Sequence, residues 1–270
     1  MVSLDAPAIA VLWQLLLARG LRVQLNPVEP LVLALAIWSV YVSDRILDAL
    51  RPAAGGWEPA RKKFYRRHFR AAACVGLCLT ALVIPVAHYL LKRSTFDGGL
   101  ALTIPVICYL ALVHLAPMQW RECWPREAVV AFLFTLGTFM GVWIVNGRNI
   151  QPLAAPAILL SLLCWANCSA IEAWEWQSSS SHSAVGAPSG SSRWAAKHLS
   201  VMATGIAMLA AAMSFLSVAP ASFSVAAFGS GMALALLGAC RSHLRVSVLR
   251  VAADAALCTP LLALVSIGVR

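Results

Sequence analysis

The sequence predicts an all-α, polytopic membrane protein in which residues 1–270 form a single transmembrane helical domain. Three observations lead there. Apolar runs, each close to the ~20 residues that cross a bilayer as a helix, recur from one end of the chain to the other, separated by short polar or Gly/Pro-marked joints. Hydrophobic residues make up 60% of the chain and charged residues 12%, with a mean hydropathy of +0.78, outside the range of ordinary soluble domains. Basic residues also gather in alternate joints, as they do when a chain crosses a membrane repeatedly.

Nine segments qualify: Leu4 to Val23, Val28 to Leu50, Phe69 to Leu91, Gly98 to Pro117, Glu127 to Val145, Pro152 to Trp176, Ala195 to Val218, Ala221 to Cys240 and Leu244 to Val269. Arg19 and Arg22 interrupt the end of the first, and their long side chains must snorkel toward water there. No Lys or Arg precedes Arg19, so a cleaved signal peptide with a basic start is not expected. In the fifth segment, Gly137 and Gly141 form a GxxxG pair, a mark of close helix packing.

Orientation follows from the 21 Lys and Arg. The joints after even-numbered segments hold Arg51, the run from Arg61 to Arg70, Arg121, Arg126, Arg193, Lys197, Arg241, Arg245 and Arg250. The opposite joints hold Arg19, Arg22, Lys92, Arg93, Arg148 and Arg270. The bias places the N-terminus and the even joints in the cytoplasm, with the bundle in the cell's inner membrane. The net charge of +10 therefore reads as a topology signal. No aromatic-interleaved basic domain stands outside the apolar segments, which argues against nucleic acid as a partner. The eight cysteines include no CxxC and no neighbouring His at ligand spacing, so they read as small buried hydrophobes rather than a metal-thiolate site.

Most of the eleven acidic residues have ordinary explanations. Asp5, Glu29, Glu58, Asp97 and Glu122 lie near segment ends or in joints, Glu127 opens a helix where the dipole favours it, and Asp254 can pair with Arg250 one turn earlier. Two pairs remain. Asp44 and Asp48 in SVYVSDRILDALR differ by ~40° around a helix, and Glu172 and Glu175 in WANCSAIEAWEWQ by ~60°, so each pair shares a face, with Asn167 near the second. Each pair ends an even-numbered segment and feeds one of the two long joints, the first closing with RKKFYRRHFR and the second, QSSSSHSAVGAPSGSSR, rich in Ser and Gly. Carboxylates converging at a membrane boundary repel unless cations intervene, and Mg²⁺ suits oxygen ligands that leave room for water and phosphate. Arg51, Arg66, Arg67, Arg193 and Lys197 are then candidates for gripping phosphate oxygens.

The segment SDRILDALRP followed by a basic joint resembles the first aspartate-rich motif of the UbiA superfamily of intramembrane prenyltransferases, nine-helix bundles with a second acidic motif at the end of the sixth helix. Val40 and Tyr41 stand where that family has an Asn-Asp pair, and Asn167, Glu172 and Glu175 depart from the usual DxxxD of the second motif. The resemblance implies a nine-helix bundle in which Asp44, Asp48, Glu172 and Glu175 hold Mg²⁺ and act as the catalytic carboxylates. Asn167 and the basic residues would bind a polyprenyl diphosphate, whose prenyl group passes to a lipophilic acceptor, aromatic or other, within the bilayer. Trp38, Tyr41, Tyr109, Trp165 and Trp174 are candidates for lining the prenyl tunnel or facing a carbocation, and His114 for an acceptor-side base. The competing class is non-enzymatic: a UbiA-like lipid-binding protein, or a small-molecule transporter with helices broken near the membrane midplane, a role for which Pro85 and Pro105 are the candidates.

Overall fold

The computed structural model describes residues 4–50, 60–115, 126–178 and 190–268. Arg51 and the serine-rich stretch 179–189 lie outside the described residues. Among those described, the fold is helical with no strand. In chain order the helices are α1 (Asp5–Gly20), α2 (Val28–Leu50), α3 (Ala60–Arg67), α4 (Phe69–Leu90), α5 (Arg93–Leu115), α6 (Arg126–Val145), α7 (Gln151–Gln177), α8 (Gly190–Lys197), α9 (Leu199–Phe215), α10 (Ala221–Cys240), a 3₁₀ turn (Arg241–His243), α11 (Val246–Ala256) and α12 (Pro260–Gly268).

Among the described residues, seven stretches are long and apolar enough to cross a membrane: α2, α4, α5, α6, α7, Ala221–His243 and Val246–Val265. The chain is thus a multi-pass membrane protein. An eighth crossing arises if α8 and α9 count as one, although they bend by 80° at His198. At 16 residues, α1 is shorter than a ~20-residue span. Its composition matches its place. Ile9, Ala10, Trp13, Leu16 and Leu17 are buried, and α1 packs against α2, α6, α10 and α12, so this short helix is part of the core. Trp13 is fully buried, stacks edge-on against Phe223 at 4.8 Å and donates its indole N–H to the Leu257 carbonyl at 3.0 Å, where the backbone between α11 and α12 leaves an acceptor without a helical partner.

Helices α4 and α5 show the opposite pattern. Leu77, Ile84, Leu100, Ile104 and Ile107 are exposed along them, as expected of side chains that face lipid. The tightest pair is α9 against α10. A Cβ built on Gly231 would sit 2.9 Å from the Ala203 carbonyl oxygen and 3.1 Å from the Ala207 nitrogen, so only glycine lets these backbones meet. The GxxxG pair works differently from the sequence expectation. Gly137 has only Leu102 Cδ2 nearby, at 3.7 Å, and Gly141 faces the Glu29 carboxylate and the Gln14 amide rather than another helix backbone.

Two short amphipathic helices, α3 and α8, each precede a break at a histidine, His68 and His198, and each leads into a long apolar helix. α3 packs on α2 and α8 packs on α7, over the same end of the bundle that carries Asp44 and Glu172. On α3, Tyr65 is buried beside Tyr41 and Arg45, and burial pushes its phenol above the usual tyrosine range.

Candidate intramembrane binding cavity

Asp44 and Asp48 stand one turn apart on α2, and two arginines and a histidine converge on them. His114 Nε2, from the end of α5, lies 3.1 Å from Asp44 Oδ1 and His114 Nδ1 lies 4.0 Å from Asp48 Oδ1. Arg126, the first residue of α6, places Nη2 at 3.5 Å from Asp44 and 3.8 Å from Asp48. Arg45 Nη1 lies 3.8 Å from Asp44 and 3.5 Å from Asp48. Tyrosines hold both guanidiniums in place: Arg45 Nη2 donates to Tyr41 Oη at 3.0 Å with its Cζ 4.6 Å from that ring's centre, and Arg126 Nε donates to Tyr109 Oη at 3.3 Å. Tyr41 occupies one of the two positions at which the sequence departs from the Asn-Asp of the resembled motif.

The second acidic pair has a different setting. Glu175 receives Arg250 Nη1 at 3.2 Å, so the ion pair expected between Arg250 and Asp254 is instead made with α7. Glu172 lies within hydrogen-bonding reach of Glu127, whose Oε2 accepts from the buried Ser192 Oγ of α8 at 2.6 Å. Glu127, read from the sequence as an ordinary helix start, is therefore buried between α7 and α8. Asn167 Nδ2 donates to Asp254 Oδ1 at 3.2 Å, and Asp254 in turn lies against Asp5.

These groups surround one end of a cavity of about 480 Å³, within the range of small-molecule sites. Asp44, Asn167 and Glu172 all line it, so the two acidic segments do meet across a shared space. Asp48 and Glu175 are not among its lining residues. From Asp44 the cavity runs along α2 as far as Glu29, fifteen positions or about 22 Å away. Apolar side chains, among them Leu33, Ile37, Leu102, Val106 and Phe134, occupy the distance between. At the Asp44 end, Asp5, Asp44, Glu127, Glu172 and Asp254 outnumber Arg45, Arg126 and Arg250.

The sequence-predicted phosphate ligands fall elsewhere. Arg66 and Arg67 on α3, and Arg193 and Lys197 on α8, are exposed and do not line the cavity. The arginines that do line it are Arg45, Arg126 and Arg250. Of the aromatic candidates, Tyr41 and Tyr109 line it, whereas Trp38, Trp165 and Trp174 do not. The four carboxylates expected to hold Mg²⁺ are Asp44, Asp48, Glu172 and Glu175. Three of the four carboxylates already face guanidiniums, and among the described residues no group of three or more His, Cys, Asp or Glu is placed to hold a metal ion. Arg45 stands between Asp44 and Asp48 in the sequence, so ion pairs closing the helix end are the plain reading of that segment, and the structure makes both. Arg126 looked like one more basic residue of a joint.

No family model, no curated protein and no solved structure matches the chain.

Proposed function

We propose that this protein is a UbiA-like bundle of nine spans that binds an isoprenoid-type lipophile in its internal cavity and is not a metal-dependent transferase. The observation that carries this reading is the ion pairing of the first motif. Arg126 and Arg45 supply at Asp44 and Asp48 the positive charge that a metal would otherwise bring, and His114 Nε2 lies within hydrogen-bond distance of Asp44. The ligand class rests on the resemblance of SDRILDALRP to the prenyltransferase motif, together with an apolar cavity of about 480 Å³. The excess of carboxyl groups at the Asp44 end disfavours a bare diphosphate and suits a neutral or donor-bearing head. The basic bias of the joints supports an inner-membrane orientation with the Asp44 end and the N-terminus in the cytoplasm.

A second reading, Mg²⁺-dependent transfer of a polyprenyl group from its diphosphate to a lipophilic acceptor, is favoured by one observation. Asp44 and Glu172, one from each acidic segment, line the same space. Purified protein in lipid nanodiscs separates the two. On the ligand-binding reading, farnesol binds equally well with Mg²⁺ and with a chelator, and farnesyl diphosphate binds more weakly than farnesol. On the transferase reading, farnesyl diphosphate binds only with Mg²⁺, and Asp48→Asn abolishes that binding. Failure of both compounds to bind under either condition would overturn the proposal.

A further inference from the structure

The far end of the cavity is also polar, and nothing in the first motif accounts for it. Gln14 of α1, Glu29 of α2 and Thr95 of α5 line the cavity there and are 2%, 4% and 7% exposed. The sequence places Glu29 at a helix start, where water or the dipole would satisfy it. Instead it is turned into the bundle. Three atoms of this group have no hydrogen-bond partner among the described residues: Gln14 Oε1, Glu29 Oε2 and Thr95 Oγ1. Space for them comes from Gly141, where an added Cβ would stand 2.7 Å from Glu29 Oε2 and 3.2 Å from Gln14 Nε2.

Buried polar atoms without partners are costly, on the order of 1 to 3 kcal/mol each, and within a bilayer-spanning bundle they mark sites rather than packing. Of the three unpaired atoms, Gln14 Oε1 only accepts hydrogen bonds, Glu29 Oε2 accepts them when ionised, and the Thr95 hydroxyl can do either. Their complement is a group that donates. We infer that the Glu29 end is a second binding locus that takes a hydrogen-bond donor, a hydroxyl or an ammonium, at the tail of a lipophile lying along the cavity. The ligand is then polar at both ends and apolar between, with a length set by the roughly 22 Å from Glu29 to Asp44.

This inference rests on the reading that the cavity holds a lipophile, and the probes are chosen so that the two can fail separately. Hexadecanol and its α,ω-diol are compared for binding to nanodisc-embedded protein, alongside farnesol. Wild type is expected to bind the diol roughly tenfold more tightly than the mono-alcohol, the effect of one added hydrogen bond. Gln14→Leu and Thr95→Val remove unpaired polar atoms without adding bulk, so both variants should fold, bind hexadecanol as before and lose much of the preference for the diol. An ω-amino alcohol distinguishes the two donor types. Binding it more tightly than the diol assigns an ammonium, and binding it no more tightly assigns a hydroxyl. Equal affinity of wild type for hexadecanol and the diol, or a preference undiminished in both variants, overturns the inference and leaves a water-filled recess. A diol preference without farnesol binding would uphold the second locus and overturn the isoprenoid reading. Binding of none of the probes overturns both.

Discussion

Arg126 and Asp44 are 82 positions apart in sequence, and Arg126 Nη2 lies 3.5 Å from Asp44 Oδ1. This contact ties the start of α6 to the end of α2 and sets the chemistry of the cavity's charged end. Removing the guanidinium in Arg126→Gln leaves two carboxylates with less compensation. Breaking a fully buried pair costs ~3 to ~5 kcal/mol, and because the Arg126 side chain is 36% exposed, screening brings the expected loss to roughly 2 kcal/mol. Thermal unfolding in detergent checks this. Arg126→Gln combined with Asp44→Asn should be more stable than Arg126→Gln alone. A double variant no more stable than Arg126→Gln would mean that the pair is incidental.

Two glycines that look alike in sequence should respond differently to alanine. At Gly231 the added methyl meets the backbone of α9, which cannot move aside, so Gly231→Ala should destabilise the fold by ~1 to ~3 kcal/mol. At Gly141 it meets the tips of Glu29 and Gln14, which can swing away. Gly141→Ala should therefore leave stability within about 1 kcal/mol of wild type and reduce the preference for a diol over a mono-alcohol. Unfolding curves and binding isotherms on the same two preparations test the contrast.

The short first helix should contribute to stability as a core element. Trp13→Ala removes a fully buried indole, its contact with Phe223 and its hydrogen bond to Leu257, an expected loss of ~3 to ~5 kcal/mol. Trp13→Phe keeps most of the volume and should cost about 1 kcal/mol from the lost hydrogen bond. Similar melting temperatures for Trp13→Ala and wild type would contradict the central position of α1.

Orientation is open to a direct check. In a background lacking the native cysteines, Arg193→Cys on α8 should resist a membrane-impermeant thiol reagent applied to intact cells, and Arg148→Cys at the opposite end should react. The reverse pattern would invert the topology.

Much of the helical layout was legible because a bilayer imposes length and apolarity on each crossing, although α1 falls short of a span, the seventh segment is broken at His198 and the ninth at residues 257–259. The gathering of Asp44 and Glu172 at one end was legible too, since alternate crossings return to the same side. Partner choice was not. His114 and Arg126 reach Asp44 from 70 and 82 positions away, and nothing local distinguishes Arg126 from the exposed Arg66, Arg67, Arg193 and Lys197. Glu29 and Glu127 misled for a physical reason. Both occupy first turns, where a carboxylate needs no special explanation, and only the packing of α1 and α8 over them reveals that they are buried.

The central claim is that a lipophile lies inside the bundle between Glu29 and Asp44, and photo-crosslinking tests it most directly. A diazirine-bearing prenyl alcohol, irradiated with the nanodisc-embedded protein and a chelator present, is mapped by peptide mass spectrometry. The account predicts adducts on cavity-lining residues such as Leu33, Leu102, Val106 and Phe134, suppressed by excess farnesol. Adducts confined to outward-facing residues such as Leu77, Ile104 and Phe132, unaffected by competitor, would contradict it.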